Sequence, residues 1–296
     1  MPVSIVNHYK GDAACGIFAI KRAIQIKQRT GLELANYIDE EILCEAYTHL
    51  EIDIFQDKAK LAKLKHELAA FMEERAKFFF LGDDVRVKVE FEEGSLKTRV
   101  IVLGAAASTL VAGISAYGSF RSGVDQISKD ATMLAQSANQ ELIFRTRTAY
   151  CDRISVEKRK GVFGRVDALL GELDAARLIV ADPKLPTKSI DLREFNGASD
   201  KLVEWDSKAD KLFGKLSAAE TQGCIAAGLL EELERFPDAA PWEADLRKRS
   251  FRATLVESDP KRAADLAAAA GKYAAVIRSL RSKMEARVKL NAPRQA

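Results

Sequence analysis

Between Arg99 and Arg121 the chain reads VIVLGAAASTLVAGISAYGSF, residues 100–120, without one charged side chain. A bilayer-spanning helix needs about 20 consecutive apolar residues, so this stretch either enters lipid or is buried against protein. Its edges are abrupt, because Lys97, Arg99 and Arg121 bound it in a chain that is 30% charged. Its composition is soft: Ala105, Ala106, Ala107, Ser108 and Thr109 contribute little hydrophobic free energy beside Leu or Ile. Gly104 with Ser108, and Ala105 with Thr109, have the small-xxx-small spacing that lets two helices approach closely in lipid. In water the same spacing marks a tightly buried helix or an oligomer contact. The residues expected to meet lipid or a second subunit are Val100, Ile101, Leu103, Gly104, Ser108, Leu110, Val111, Gly113 and Ile114.

The pattern just before this stretch competes with it. Val85, Val87, Val89 and Phe91 alternate with Arg86, Lys88, Glu90 and Glu92, the two-residue rhythm of a half-buried strand. Glu93-Gly94 is a turn signal, and Leu96, Thr98, Val100 and Val102 can form the return strand of a hairpin. If they do, only Ala105 to Phe120 is left for a helix, about 16 residues or roughly 24 Å, short of a hydrocarbon core about 30 Å thick.

The remainder reads as helix. Ala, Leu, Glu, Lys and Arg dominate and only 7 residues are Pro, a composition that loses little on entering a helix. Ile17, Phe18, Ile20, Ala23, Ile24 and Ile26 predict a helix from Asp12 to Arg29, stopped at Gly31. Leu34, Ile38, Ile42, Leu43, Ala46 and Leu50 predict a second, and Leu61, Leu64, Leu68, Phe71 and Met72 a third from about Asp57 to Phe80. Further helices are expected through Val124–Ile143 and Val166–Val180, then over 198–216, 218–236, 242–256 and 261–290, separated by Pro237, Pro241 and Pro260. Trp205 and Trp242 fit either interface anchors or core residues of this part. The expected fold is mainly α, with helical modules, a short β-hairpin and a central hydrophobic helix. Its units are an N-terminal helical module over 1–82, a hairpin with the candidate transmembrane segment over 83–120, and a C-terminal helical module over 121–296.

A basic run follows the second of these units: Arg145, Arg147, Arg153, Lys158, Arg159, Lys160 and Arg165, offset only by Asp152 and Glu157. Such a density of positive charge favours phosphate or anionic lipid headgroups. The competing reading is a solvated helix face, since no aromatic stacking platform is interleaved with it. A net charge of only +3 is too near balance to imply a nucleic-acid partner by itself.

Chemistry is sparsely signalled. His8, His49 and His66 lie far apart, no HExxH occurs, and no GxxxxGK[ST] phosphate loop is present, so neither a metal nor another cofactor is expected. Cys15, Cys44, Cys151 and Cys224 have no paired spacing and are expected as reduced thiols. The start lacks a basic region leading into an apolar core and a cleavage site, so no cleaved signal peptide is expected. In GDAACGIFAI, Cys15 would lie in the first turn of a helix whose dipole stabilises a thiolate. This segment of about ten residues resembles the cysteine-nucleophile helix of papain-like and ovarian-tumour-type proteases, which implies a cysteine-dependent hydrolase. Only His49 and His66 follow Cys15, both within helical patterns.

The reading that fits most of these features is a non-enzymatic, membrane-associated or self-assembling interaction protein, cytoplasmic or associated with an inner membrane. A membrane-perturbing effector of a bacterial stress or conflict system fits the same parts. The partners expected are further copies of the chain, other protein subunits, or a membrane. The rival is a soluble helical scaffold or adaptor in a multi-subunit complex, and the third reading is the hydrolase using Cys15.

Overall fold

The computed structural model describes residues 42–80, 85–92, 95–181, 192–244 and 259–291. Among them are four strands, β1 (Ile42–Leu50), β2 (Arg86–Glu92), β3 (Leu96–Leu103) and β4 (Arg153–Arg159). Seven α-helices accompany them among the described residues: α1 (Lys58–Phe80), α2 (Ala106–Tyr117), α3 (Phe120–Thr146), α4 (Gly161–Val180), α5 (Leu192–Phe213), α6 (Ala219–Glu234) and α7 (Pro260–Asn291). The fold is mainly α with one small antiparallel sheet, in the strand order β2-β3-β1-β4. The predicted helix over 12–29, and residues 34 and 38 of the second, lie outside the described residues, as does Cys15.

Residues 42–50 correct the sequence reading: they form a strand, not a helix. Ile42, Leu43, Ala46 and Leu50 fit a helical stripe, but Cys44, Ala46, Thr48 and Leu50 also share one face of a strand, and all four are buried. Hydrogen bonding on both sides settles the matter, with Ala46 opposite Val100 of β3 and opposite Lys158 of β4. The hairpin is as expected, with Val89 opposite Val100 and Phe91 opposite Thr98. Across β2, β3 and β1 this register aligns Val89, Val100 and Ala46 on the core side.

Helices α1 and α3 cover that side. Leu64, Leu68, Met72, Ala76 and Phe80 of α1 and Val124, Ala131, Leu134, Ala138 and Leu142 of α3 are buried, the stripe expected of a helix lying on a sheet. The Thr48 hydroxyl donates to Asn139 Oδ1 at 2.5 Å, and the Asn139 amide donates on to the Glu157 carbonyl at 3.0 Å. Two buried polar side chains thereby tie α3 to β1 and β4.

The uncharged stretch 100–120 is not one element. Its first residues complete β3, and α2 then spans 12 residues, about 18 Å at 1.5 Å per residue. Gly118 ends α2 with φ 78°, and the Ser119 hydroxyl caps α3 by accepting from the Ser122 amide at 3.2 Å. No helix of the described residues is long and apolar enough to cross a membrane. The expected transmembrane helix is therefore overturned, because strand pairing takes Val100–Leu103 and the left-handed turn at Gly118 stops what remains. Much of the stretch is buried by its own chain: Val100 and Val102 in the sheet, Ala106, Ala107 and Leu110 along α2. The close helix approach occurs within the chain too. A Cβ on Gly123 would stand 3.0 Å from the Gly113 carbonyl carbon, and one on Gly113 2.6 Å from Ile127 Cδ1.

Helices α4 to α7 pack beside this unit. Phe195, Trp242 and Tyr273 form an aromatic cluster, with Phe195 5.4 Å from Trp242 and 5.6 Å from Tyr273 between ring centres. Trp205 is buried and its indole donates to the Leu169 carbonyl at 2.9 Å, so both tryptophans are core residues. Phe120 joins the two parts by lying flat on Gly228 of α6, where a Cβ would meet the ring at 2.1 Å.

Candidate functional site

The second face of the sheet is polar, and strand register orders it in rows. One row runs Lys88, Ile101, Glu45, Arg159 from β2 to β4; the next Glu90, Arg99, Tyr47, Glu157; the third Glu92, Lys97, His49, Ser155. At its centre Glu45 is fully buried. Arg99 reaches it with Nε at 3.2 Å and Nη2 at 3.1 Å, and the Arg159 guanidinium completes the arrangement from β4. Arg99 also meets Glu90 at 3.2 Å, and Arg159 lies 5.2 Å from the centre of the Tyr47 ring. A buried carboxylate so held is a structural clasp between three strands.

The edges of this face are ion-paired within the protomer. Lys88 meets Glu90 at 2.5 Å, and that hydrogen bond holds the Glu90 carboxyl below the usual range. Lys97 meets Glu92 at 2.8 Å, which pushes its ammonium pKa up. Beside them the Ser95 hydroxyl lies 2.6 Å from His49 Nε2. Burial, reinforced by Lys97, pushes the His49 ring below its ordinary value. This serine–histidine contact could not be foreseen while residues 42–50 read as helix.

Strand β2 pairs with β3 alone among the described residues. Along it lies open space of about 730 Å³, bounded by β2 from Val87 to Glu92, by Lys65 and Ala69 of α1, and by Lys97 and Arg99 of β3. Its outward side chains are basic at Arg86 and Lys88 and acidic at Glu90 and Glu92, and an edge with unpaired backbone groups is a template for another strand.

The basic run is distributed over α3, β4 and α4. Arg145 meets Glu141 at 2.7 Å and Glu67 of α1 at 2.5 Å. Arg153 lies over the Tyr150 ring, Lys158 donates to Gln136, and Lys160 pairs with Asp167 at 3.2 Å. Arg159 is occupied with Glu45 and Glu157, while Arg147 and Arg165 are exposed. Arg145 and Arg147 come together with Lys60 and Lys63 of α1 around a second cavity of about 730 Å³. That convergence escaped sequence reading because α1 and the end of α3 are remote in sequence.

Of the residues expected at a lipid or subunit contact, Val100, Ile101, Gly104, Leu110 and Gly113 are buried, Leu103 and Ile114 half-buried, and Ser108 and Val111 exposed. Cys44 and Cys224 carry free thiols, both with pKa raised by burial, whereas Cys151 is disulfide-bonded, so reduced thiols were expected correctly for only two of these three. Among the described residues no group of three or more His, Cys, Asp or Glu side chains could hold a metal ion. No protein family, curated protein or solved structure matches the chain.

Proposed function

We propose that the chain is a self-assembling interaction protein in which two copies pair through their β2 strands, antiparallel about a twofold axis at Val89. The observation that carries this is the order of side chains in RVKVEFE on a strand with one described neighbour. Paired with itself about Val89, β2 sets Lys88 against Glu90, Arg86 against Glu92, and Val87 against Phe91. Opposite charges then face each other on the polar side and apolar groups on the core side. A register slip of two residues sets Lys88 against Lys88 or Glu90 against Glu90, so like charges disfavour the neighbouring alignments. The other edge lacks this property: RISVEKR paired about Val156 sets Arg153 against Arg159 and Ile154 against Lys158.

Each opposite-charge cross-strand pair contributes roughly 0.2–1 kcal/mol, and the twofold axis repeats every pair. Lys88→Glu or Glu90→Lys converts two attractive contacts into repulsive ones and is expected to weaken self-association about 10- to 100-fold. The double exchange of Lys88→Glu with Glu90→Lys restores opposite signs and should recover the wild-type association constant. Sedimentation equilibrium of the full chain over a concentration series measures all four proteins. A wild-type chain that stays monomeric throughout, or a folded double exchange as weak as the single variants, would overturn the pairing.

A further inference from the structure

We infer that the cleft between the start of α1 and the end of α3 binds a phosphate monoester carrying an apolar group. Lys60, Lys63, Arg145 and Arg147 line this cavity of about 730 Å³, and among the described residues that line it Glu67 is the only carboxylate. Glu67 is already engaged by Arg145 at 2.5 Å, and Lys63 stands 3.8 Å from it. Among the described residues Lys60 and Arg147 make no ion pair. Arg145 also pairs with Glu141 at 2.7 Å, so among the described residues four lining cations face two carboxylates, and the excess lies in a concave site where the field of several cations adds. A dianion matches that excess better than a single carboxylate.

Two features of the backbone sharpen the assignment. The first turn of α1 carries Lys58 and Lys60, two charges that oppose the helix dipole and that the single Asp57 carboxylate, accepting from the Lys60 amide at 2.9 Å, offsets only in part. Arg147 has φ 51°, the one non-glycine residue with positive φ among those described. Glycine fits that conformation with less strain, and a strained residue lining a cavity points to a role for its side chain. The apolar half of the ligand is read from the rest of the lining. Phe144 is 77% exposed on the same cavity, and Ile143 and Leu64 continue the surface below it, leaving a ring face available for stacking.

Phenyl phosphate and inorganic phosphate are the probes, titrated into the full chain at low ionic strength by calorimetry. Phenyl phosphate should bind saturably and about tenfold or more tighter than inorganic phosphate, with an affinity that falls as salt rises. Lys60→Gln and Arg147→Gly should each weaken it by about tenfold, the loss of one charge-assisted contact. Arg147→Gly should do so with a Tm no lower than wild type, because glycine accepts the left-handed turn. Absence of saturation up to about 10 mM phenyl phosphate, a constant worse than any small-molecule site of this size, would overturn the assignment. So would Lys60→Gln binding as wild type does, or inorganic phosphate binding as tightly as phenyl phosphate. Lys60 is exposed, so its variant remains decisive even if Arg147→Gly perturbs the helix end.

Discussion

Glu45 in the sheet and Glu232 in the helical array are both buried among arginines, 0% and 2% exposed, but they are held in different ways. Both Glu45 oxygens are hydrogen-bonded, Oε2 by Arg99 and Oε1 by Arg99 and Arg159. The two guanidiniums come from the strands on either side, where pairing dictates which side chains can meet. Around Glu232, α3 contributes Arg121 at 3.5 Å, α4 contributes Arg177 at 3.9 Å, and the residue just after α6 is Arg235 at 2.9 Å. Glu232 Oε1 nevertheless lacks a hydrogen bond of acceptable geometry, and Arg121 and Arg177 also turn to Asp174. Strand register delivers a charged pair in a set alignment. Helix packing delivers a group of charges whose alignment depends on long side chains reaching across a joint.

The largest expected effect tests that distinction directly. Glu45→Ala removes the fully buried carboxylate that Arg99 and Arg159 both reach and should cost about 3–5 kcal/mol of unfolding free energy, the range for breaking a buried ion pair. Glu232→Ala should cost about 1–2 kcal/mol, because all three of its arginines are 30–40% exposed, against 13% for Arg159 beside Glu45, and water replaces part of what is lost. Urea unfolding of the two variants measures both, and equal losses would break the distinction. Gly228→Ala probes the joint between the regions. The added methyl meets the Phe120 ring at 2.1 Å, so overpacking should cost about 1–3 kcal/mol. Pairing it with Phe120→Leu should recover a large part of that loss; a double variant no better than the single one would show that the ring is not the obstacle.

The smallest effect is in pH. His49 lies in the sheet, and helices α4 to α7 contain no histidine. Burial and Lys97 lower the His49 pKa from 6.5 in the folded state, so between the two values the unfolded chain binds the extra proton. Its contribution to stability is therefore complete above about pH 6.5 and is lost as pH falls through the folded value. His49→Gln should flatten this acid limb of the stability curve. Unchanged steepness in the variant would assign the limb to other groups.

Much of the helical content was legible beforehand, because it depends on local spacing. The helix expected from about Asp57 is α1 from Lys58 to Phe80, and Pro260 opens α7 as a first-turn proline should. The β2–β3 hairpin was legible for the same reason: its alternation is strict and its two strands are adjacent. What failed was every decision that needed a distant partner. Ile42, Leu43, Ala46 and Leu50 satisfy two periodicities, and only pairing with β3 and β4 chose the strand. RISVEKR was read as part of a charge run, although Arg159 belongs to a buried clasp and Arg145 to a bridge with Glu67.

The amino-acid order by itself determined that the fold is mainly helical, where helices such as α1 and α7 lie, and that β2 and β3 alternate as a hairpin. Those outcomes follow from side-chain spacing and turn residues within a few positions of one another. Tertiary structure alone decided that residues 42–50 are a strand, that a glutamate sits at the centre of the sheet, and that cations from two helices converge on one cleft. Each of those depends on groups tens of residues apart, and the free energy that selects them comes from packing and charge pairing that no local window contains.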